Sequence, residues 1–299
     1  MRVLMSGATG LIGTALRSVL EARSDIVIAL TRRDAHQPDT IGWDPSRGAI
    51  HGSVAGFDVV VHLAGAGIGD HRWTEEYKRE IRDSRVNGTL ALAEALAGAP
   101  APPRVFVSGS AIGIYGNRGR EELLDERSAP GDDYLALLCR DWEAAAQPTI
   151  DAGIRTACLR TGVVLAPKGG ALHRMLTPFK LGLGGKLGRG SQYLSWITLV
   201  DEVRAIVHIL DGELSGPVNL TAPHPVTNET FTRMLGEVLH RPTLLPTPVF
   251  ALKALYGSEL VETLLLHGQR VLPKALEADG FRFTSSTVED GLRSVLGRS

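Results

Sequence analysis

Short apolar, β-branched runs alternate through the first half of the chain with stretches whose apolar positions recur every three to four residues. Val3–Ser6, Ile26–Leu30, Val59–Leu63 and Val105–Val107 read as strands, and the last three have the continuous apolar character of strands buried on both faces. Thr14–Glu21, Thr74–Ala97 and Tyr134–Gln147 carry helical periodicity, and Arg155–Leu159 reads as a further strand. Thr74 suits an N-cap, followed by Glu75 and Glu76 where a helix dipole favours acid. This alternation predicts an α/β fold, a Rossmann-type doubly wound parallel sheet with helices on both faces.

After about Gly162 the texture changes to glycine-rich loops, Gly169-Gly170 and Gly182–Gly190, interrupted by the apolar segment Leu194–Val200. Helical patterns follow at Asn228–His240, Phe250–Tyr256 and Thr287–Leu296, and Asp201 reads as the N-cap of Glu202–Leu210. The expected organisation is a nucleotide-binding domain over 1–165, with later returns of the chain to the sheet left open. A smaller, mainly helical lobe over 166–299 then stands on the substrate side.

The first strand runs into Gly7-Ala8-Thr9-Gly10-Leu11-Ile12-Gly13, a G-x-x-G-x-x-G spacing between a strand and an amphipathic helix. Gly7 and Gly10 suit a tight turn where a side chain would block a diphosphate. Gly13 allows close helix packing, and the helix N-terminus offers free N–H groups to the anion. Where the second strand ends, an Asp or Glu would hold the ribose 2′-hydroxyl of NAD, but this chain has Thr31-Arg32-Arg33. Guanidiniums there pair with a 2′-phosphate, which predicts NADP(H); Asp34 is the alternative partner for a plain ribose. The strand Val59–Leu63 ends in Ala64-Gly65-Ala66-Gly67, small residues that leave room for a nucleotide, and His62 reads as a packed strand residue.

Composition narrows the partners. The 299 residues are 43% hydrophobic with a formal net charge of −1, enough for a large core and without a general attraction for nucleic acid or membrane. No apolar run approaches the ~20 residues of a membrane span. Two cysteines, Cys139 and Cys158, support neither a disulfide framework nor a metal site, so a cytoplasmic setting and no metal are expected.

With the glycine turn, the Arg32 tip and the small-residue strand end in register, the chain resembles the extended short-chain dehydrogenase/reductase superfamily, which includes nucleotide-sugar epimerases and dehydratases. His71-Arg72-Trp73 with Asp83-Ser84-Arg85, and Ser108-Gly109-Ser110-Ala111 with Ile114-Tyr115-Gly116, narrow the resemblance. So do Cys139-Arg140-Asp141-Trp142-Glu143, and Gly184-Gly185-Lys186-Leu187-Gly188 with Gln192 and Ser195-Trp196-Ile197. These are similar to an atypical branch, the SDR39U1-like epimerase family proteins with a C-terminal segment of unknown function, and the similarity spans essentially the whole chain. It implies an NADP(H)-binding protein with contacts from Thr9, Gly10, Leu11 and Ile12 at the turn and from Thr31 and Arg32 at the ribose phosphate. It further implies Leu63 and Ala64 after the strand, Glu80 and Arg85 on the long helix, and Val164 at the nicotinamide end.

The chemistry of the superfamily usually needs a Tyr-x-x-x-Lys pair, the lysine lowering the tyrosine pKa for proton exchange. Here the two positions align with Leu135 and Cys139, and no lysine lies between Lys78 and Lys168. Ser110 keeps the place of the serine that bonds the substrate oxygen, and Tyr115 is the nearest alternative phenol. These are the candidate catalytic residues; Cys139 reads as a small apolar helix residue. Gln192 and Trp196, beside a glycine-rich loop carrying Lys186 and Arg189, are the candidate substrate contacts. The expected function is an NADP(H)-dependent oxidoreductase or epimerase-like enzyme on a small polar substrate. The alternative is a non-catalytic NADP(H)-binding sensor or interaction protein, and the oligomeric state is left open.

Overall fold

The computed structural model describes residues 1–32, 39–45, 48–119 and 122–298. In chain order, β1 (Arg2–Ser6), β2 (Ile26–Thr31), β3 (Thr40–Asp44), β4 (Ala49–His51), β5 (Val59–His62) and β6 (Val105–Ala111) are joined by the later strands Arg155–Thr161 and Gly216–Leu220 into one eight-stranded sheet. Its spatial order is Gly216–Leu220, Arg155–Thr161, β6, β5, β1, β2, β3, β4. Every pairing is parallel except β3 with β4. From β1 the chain winds outward to β2 and β3, then returns to start β5 on the other side of β1. The order therefore reverses between β1 and β5, and the crevice at their carboxyl ends is where such sheets bind ligands.

The strands are apolar because both faces are covered. Val59, Val60 and Val61 of β5 are fully buried, as are Val3, Leu4 and Met5 of β1. One face packs on α1 (Leu11–Ala22) through Leu16 and Leu20; the other packs on α2 (Glu75–Ala97) through Leu92 and Leu96. Thr74 caps α2 as expected, its side chain accepting from the Tyr77 N–H. The helix α3 (Tyr134–Ala144) packs beside β6.

After Gly162 the chain does return to the sheet. Helix Leu199–Asp211 packs on α1, strand Gly216–Leu220 pairs with Arg155–Thr161, and Leu276 and Phe281 join the same core as β1 and β5. That strand was not legible in the sequence because Pro217 and Asn219 interrupt its apolar pattern, which an edge position tolerates. Asp201 is not the N-cap of its helix. Thr198 is, accepting from the Asp201 N–H, while the buried Asp201 carboxylate accepts from the Thr284 and Ser285 N–H groups and fastens the C-terminal segment. A second core, with Leu172, Phe179, Trp196, Phe231, Leu235 and Leu292, holds together helices Gly170–Lys180, Asn228–Leu239 and Val288–Leu296.

Candidate functional site

The glycine turn closes the crevice from below. Gly7 has φ +70°, and a Cβ there would stand 2.7 to 2.9 Å from the backbone of Leu63 and Ala64. A Cβ on Gly13 would stand 2.1 Å from the Gly7 carbonyl oxygen, so α1 starts hard against the turn. Both contacts are backbone and cannot swing aside, which is why neither position takes a side chain. Gly10 is the N-cap of α1 without a capping side chain, and no acid stands in the first turn. The N–H groups of Leu11, Ile12 and Gly13 therefore face the crevice with the positive end of the helix dipole, a fit for an anionic diphosphate. Thr9 and Gly10 are exposed at the turn, and Leu11 and Ile12 are half-buried behind it.

Across the turn, the Ala64 N–H donates to Ser6 Oγ, which also bonds His62 Nδ1 at 2.6 Å. Ser6, His62 and Ser108 lie in register on neighbouring strands. His62 is wholly buried against Trp43 and Phe106, and burial pushes its pKa down to about 4, so it is a neutral packed residue. Thr31 ends β2 and Arg32 follows it, exposed; Arg33 and Asp34 lie outside the described residues. Val164 runs parallel to Ile197, and its carbonyl, with Leu11, lies beside Gly170, so the segment after strand Arg155–Thr161 reaches the start of α1.

Arg85 comes off α2 into this crevice. Its guanidinium lies where a Cβ on Gly65 would touch it at 3.2 Å and stands over the Trp142 ring at 5.1 Å. Nη1 donates to the Ile81 carbonyl, no carboxylate lies within ion-pair distance among the described residues, and burial lowers the pKa. A desolvated cation without a counter-ion is receptive to an anion. Glu80 is exposed on the same helix, ~140° round from Arg85; both act electrostatically on Tyr77.

Beyond Trp142, which packs on Gly109, lies a closed polar network. Ser110 Oγ donates to Glu143 Oε1 at 2.7 Å; Arg160 donates to both Glu143 oxygens, from Nε at 2.8 Å and Nη2 at 2.9 Å. Arg160 Nη1 donates to the Tyr115 hydroxyl at 3.0 Å, and that hydroxyl donates to Asn219 Oδ1 at 2.7 Å. The strand register sets this up: Ser110 pairs with Arg160 and Arg160 with Asn219, one lateral row across three strands. Glu143 and Arg160, the centre of the row, were missed in the sequence. The available signal was a lone arginine at the end of an apolar strand, which needs a buried partner.

The structure corrects the roles expected of Tyr115, Trp196 and Gln192. Tyr115 is fully buried with its hydroxyl committed on both sides, and burial raises its pKa, so it has no path to a ligand. Tyr134 turns its hydroxyl to the Lys78 carbonyl on α2. Cys139 lies beside Gly113, where burial pushes its thiol up to about 12, as for Cys158, so neither is a nucleophile at neutral pH. Trp196 is a fully buried core residue whose Nε1 donates to the His224 carbonyl, so it does not line a substrate pocket. Gln192 spends its amide on the Leu187 and Leu265 carbonyls, tying the glycine-rich loop to the segment before Arg270. Ser110 alone of the expected catalytic and substrate residues stays at the carboxyl edge of the sheet, next to Gly109 and Trp142. Among the described residues no group of three or more His, Cys, Asp or Glu side chains is arranged to hold a metal ion.

Comparison with known proteins agrees with this geometry. Residues 3–220 match the model of the NAD dependent epimerase/dehydratase family, and residues 247–295 match a domain of unknown function, DUF1731. Epimerase family protein MT2273 of Mycobacterium tuberculosis is 42% identical over 97% of this chain and 96% of its own length. The crystal structure of human epimerase family protein SDR39U1 (isoform 2) with NADPH superimposes with a TM-score of 0.91 at 35% identity, covering all of both chains. A UDP-glucose 4-epimerase from Thermotoga maritima shares the fold at 16% identity, with a TM-score of 0.76 over 99% of this chain and 98% of that one. The glycine turn at the β1/β5 reversal and these full-length similarities together establish that the chain belongs to the NAD dependent epimerase/dehydratase family, within its epimerase family proteins.

Proposed function

We propose that this chain binds NADP(H) in the crevice and exchanges hydride with a small polar substrate, as an oxidoreductase or epimerase-like enzyme working without a Tyr-x-x-x-Lys pair. The observation that carries it is the start of α1, without a capping side chain and packed behind Gly7, together with the Arg85 guanidinium beside Gly65, which has no carboxylate partner among the described residues. A human relative that superimposes over the whole chain was crystallised with NADPH, which supports the choice of cofactor. Gly7 and Gly10 admit the diphosphate, Gly13 lets α1 start against the turn, and the N–H groups of Leu11 and Ile12 bond the diphosphate, flanked by Thr9. Thr31 and Arg32 receive the ribose phosphate, Leu63 and Ala64 floor the crevice, and Val164 reaches the nicotinamide end. Arg85 and Glu80 stand on the α2 side. The bound cofactor supplies hydride transfer.

Ser110 has an unusual part in this reading. Its hydrogen is committed to Glu143, whose charge is held by Arg160, so Ser110 offers a substrate oxygen lone pairs and no proton. It accepts from a substrate hydroxyl, and favours the alcohol over the carbonyl form. A second reading, a protein that binds NADP(H) without turnover, is favoured by the engagement of Tyr115 and Tyr134 in internal bonds. Calorimetry with NADPH and NADH, on the natural chain and on Arg32→Ser, tests the cofactor: NADPH preferred, with the preference falling roughly ten-fold in the variant. Nicotinamide absorbance followed with panels of alcohols and NADP⁺ and of carbonyls and NADPH then separates the two readings. Binding without absorbance change across both panels removes the enzymatic one.

A further inference from the structure

Among the described residues, every large apolar side chain more than 60% exposed lies in two segments of the C-terminal half: Leu181 and Leu183 in one, Leu244, Leu245, Phe250 and Leu255 in the other. Leu244 is 89% exposed. The segments are some sixty residues apart in sequence but run side by side. The Thr247 N–H donates to the Lys186 carbonyl and its hydroxyl to the Gly185 carbonyl, both at 2.9 Å, and Arg241 Nε donates to the Lys180 carbonyl at 2.8 Å. Helix Val249–Tyr256, which follows, carries a single charge, Lys253, and buries none of its residues.

Within the two segments the charge is of one sign. Residues 171–190 and 240–257 contain Arg174, Lys180, Lys186, Arg189, Arg241 and Lys253 and no Asp or Glu, in a chain whose net charge is −1. Three of the six pair with acids from outside the segments: Arg174 with Asp70, Lys186 with Glu229, Lys253 with Glu262. Lys180, Arg189 and Arg241 have no carboxylate within ion-pair distance among the described residues. An apolar patch of this exposure is an interaction surface. A two-fold contact between copies would set these cations against one another.

We propose that this face docks on the surface of an anionic lipid bilayer. Leucine and phenylalanine side chains standing out from basic loops suit the boundary between headgroups and acyl chains, and each basic residue there gains from the lipid charge. Docking needs no spanning segment, and no helix among the described residues is long and apolar enough to cross a membrane. The near-zero charge of the whole chain, from which no membrane partner is expected, averages over this local excess.

The test is co-sedimentation of the full chain with phosphatidylglycerol/phosphatidylcholine vesicles and with phosphatidylcholine vesicles alone, at low and high salt. Binding to the anionic vesicles only, weakened by salt, is expected. Lys180→Glu should weaken it at least roughly five-fold, and the double change Leu244→Ser, Leu245→Ser at least roughly ten-fold, with NADPH affinity unchanged as the control for folding. No sedimentation with either vesicle, or equal sedimentation with both, overturns the proposal. So does a self-association, seen by analytical ultracentrifugation, that the double variant abolishes, because the patch would then be covered by a second copy.

Discussion

Replacing Glu143 by glutamine probes the row that links β6, α3 and the two last strands. A glutamine oxygen in the place of Oε1 still accepts from Ser110 and from Arg160 Nε, but the amide NH₂ then faces Arg160 Nη2 across 2.9 Å, donor against donor. The arginine charge, with 9% of its side chain exposed, then has no carboxylate and keeps only neutral acceptors: the glutamine oxygen, the Tyr115 hydroxyl and the Glu126 carbonyl. Breaking a buried pair by removing one partner costs about 3–5 kcal/mol, and the lower end applies because the Glu143 side chain is 16% exposed. Unfolding 299 residues at roughly 2 cal/mol/K each carries an entropy of about 0.6 kcal/mol/K, so a loss of ~3 kcal/mol lowers the melting midpoint by ~5 °C. The double variant Glu143→Leu, Arg160→Met removes both charges and should recover all but about 1–2 kcal/mol. Urea unfolding of the single and double variants gives the coupling energy. If Glu143→Leu and Arg160→Met separately cost amounts that simply add in the double variant, the two side chains are not one unit and the argument for the row fails.

Gly13→Ala places a methyl 2.1 Å from the Gly7 oxygen and must lift α1 off the turn, so NADPH affinity should fall at least roughly ten-fold by calorimetry; unchanged affinity would refute the cradle. Arg85→Leu removes a cation without a carboxylate partner, and should weaken NADPH binding roughly 10–100-fold, with little change in the melting midpoint of the unliganded protein. The pH dependence of stability has two opposed sources. Glu202 is fully buried, with Oε1 bonded by Thr161 and Oε2 unpartnered, and burial raises its pKa from 4.5 to about 8. The folded state therefore holds a proton that the unfolded chain has released, and stability falls as pH rises from 4.5 to about 8. For His62, lowered from 6.5 to about 4, the unfolded state holds the extra proton, so stability falls as pH drops from 6.5 to about 4. Denaturant titrations should show Glu202→Gln losing the alkaline decline while keeping the acid one; a variant with the same decline above pH 6.5 would rule out Glu202 as its source.

The early chain was legible because its signals are local. A strand buried on both faces needs a continuous apolar run, and a diphosphate turn needs glycines at fixed spacing, so β1, β2, β5, β6 and the turn at Gly7 follow from neighbours within a dozen residues. Edge strands obey weaker constraints, which is why β4, only three residues long, and the strand Gly216–Leu220, with glycine, proline and asparagine among its residues, were not visible. Side-chain roles depended on distance through space. Ser110, Arg160 and Asn219 meet only because three strands far apart in sequence pair in one register, and that register removes Tyr115 from the crevice into the interior. The charge of the molecule follows the same rule. Composition fixed its sum, −1, but only the pairing of the Lys180–Leu187 and Arg241–Thr247 segments gathers exposed leucines and cations on one face. Sequence determines what a residue carries and what its near neighbours can form; which distant groups share a surface is decided by folding, because burial and pairing act across space.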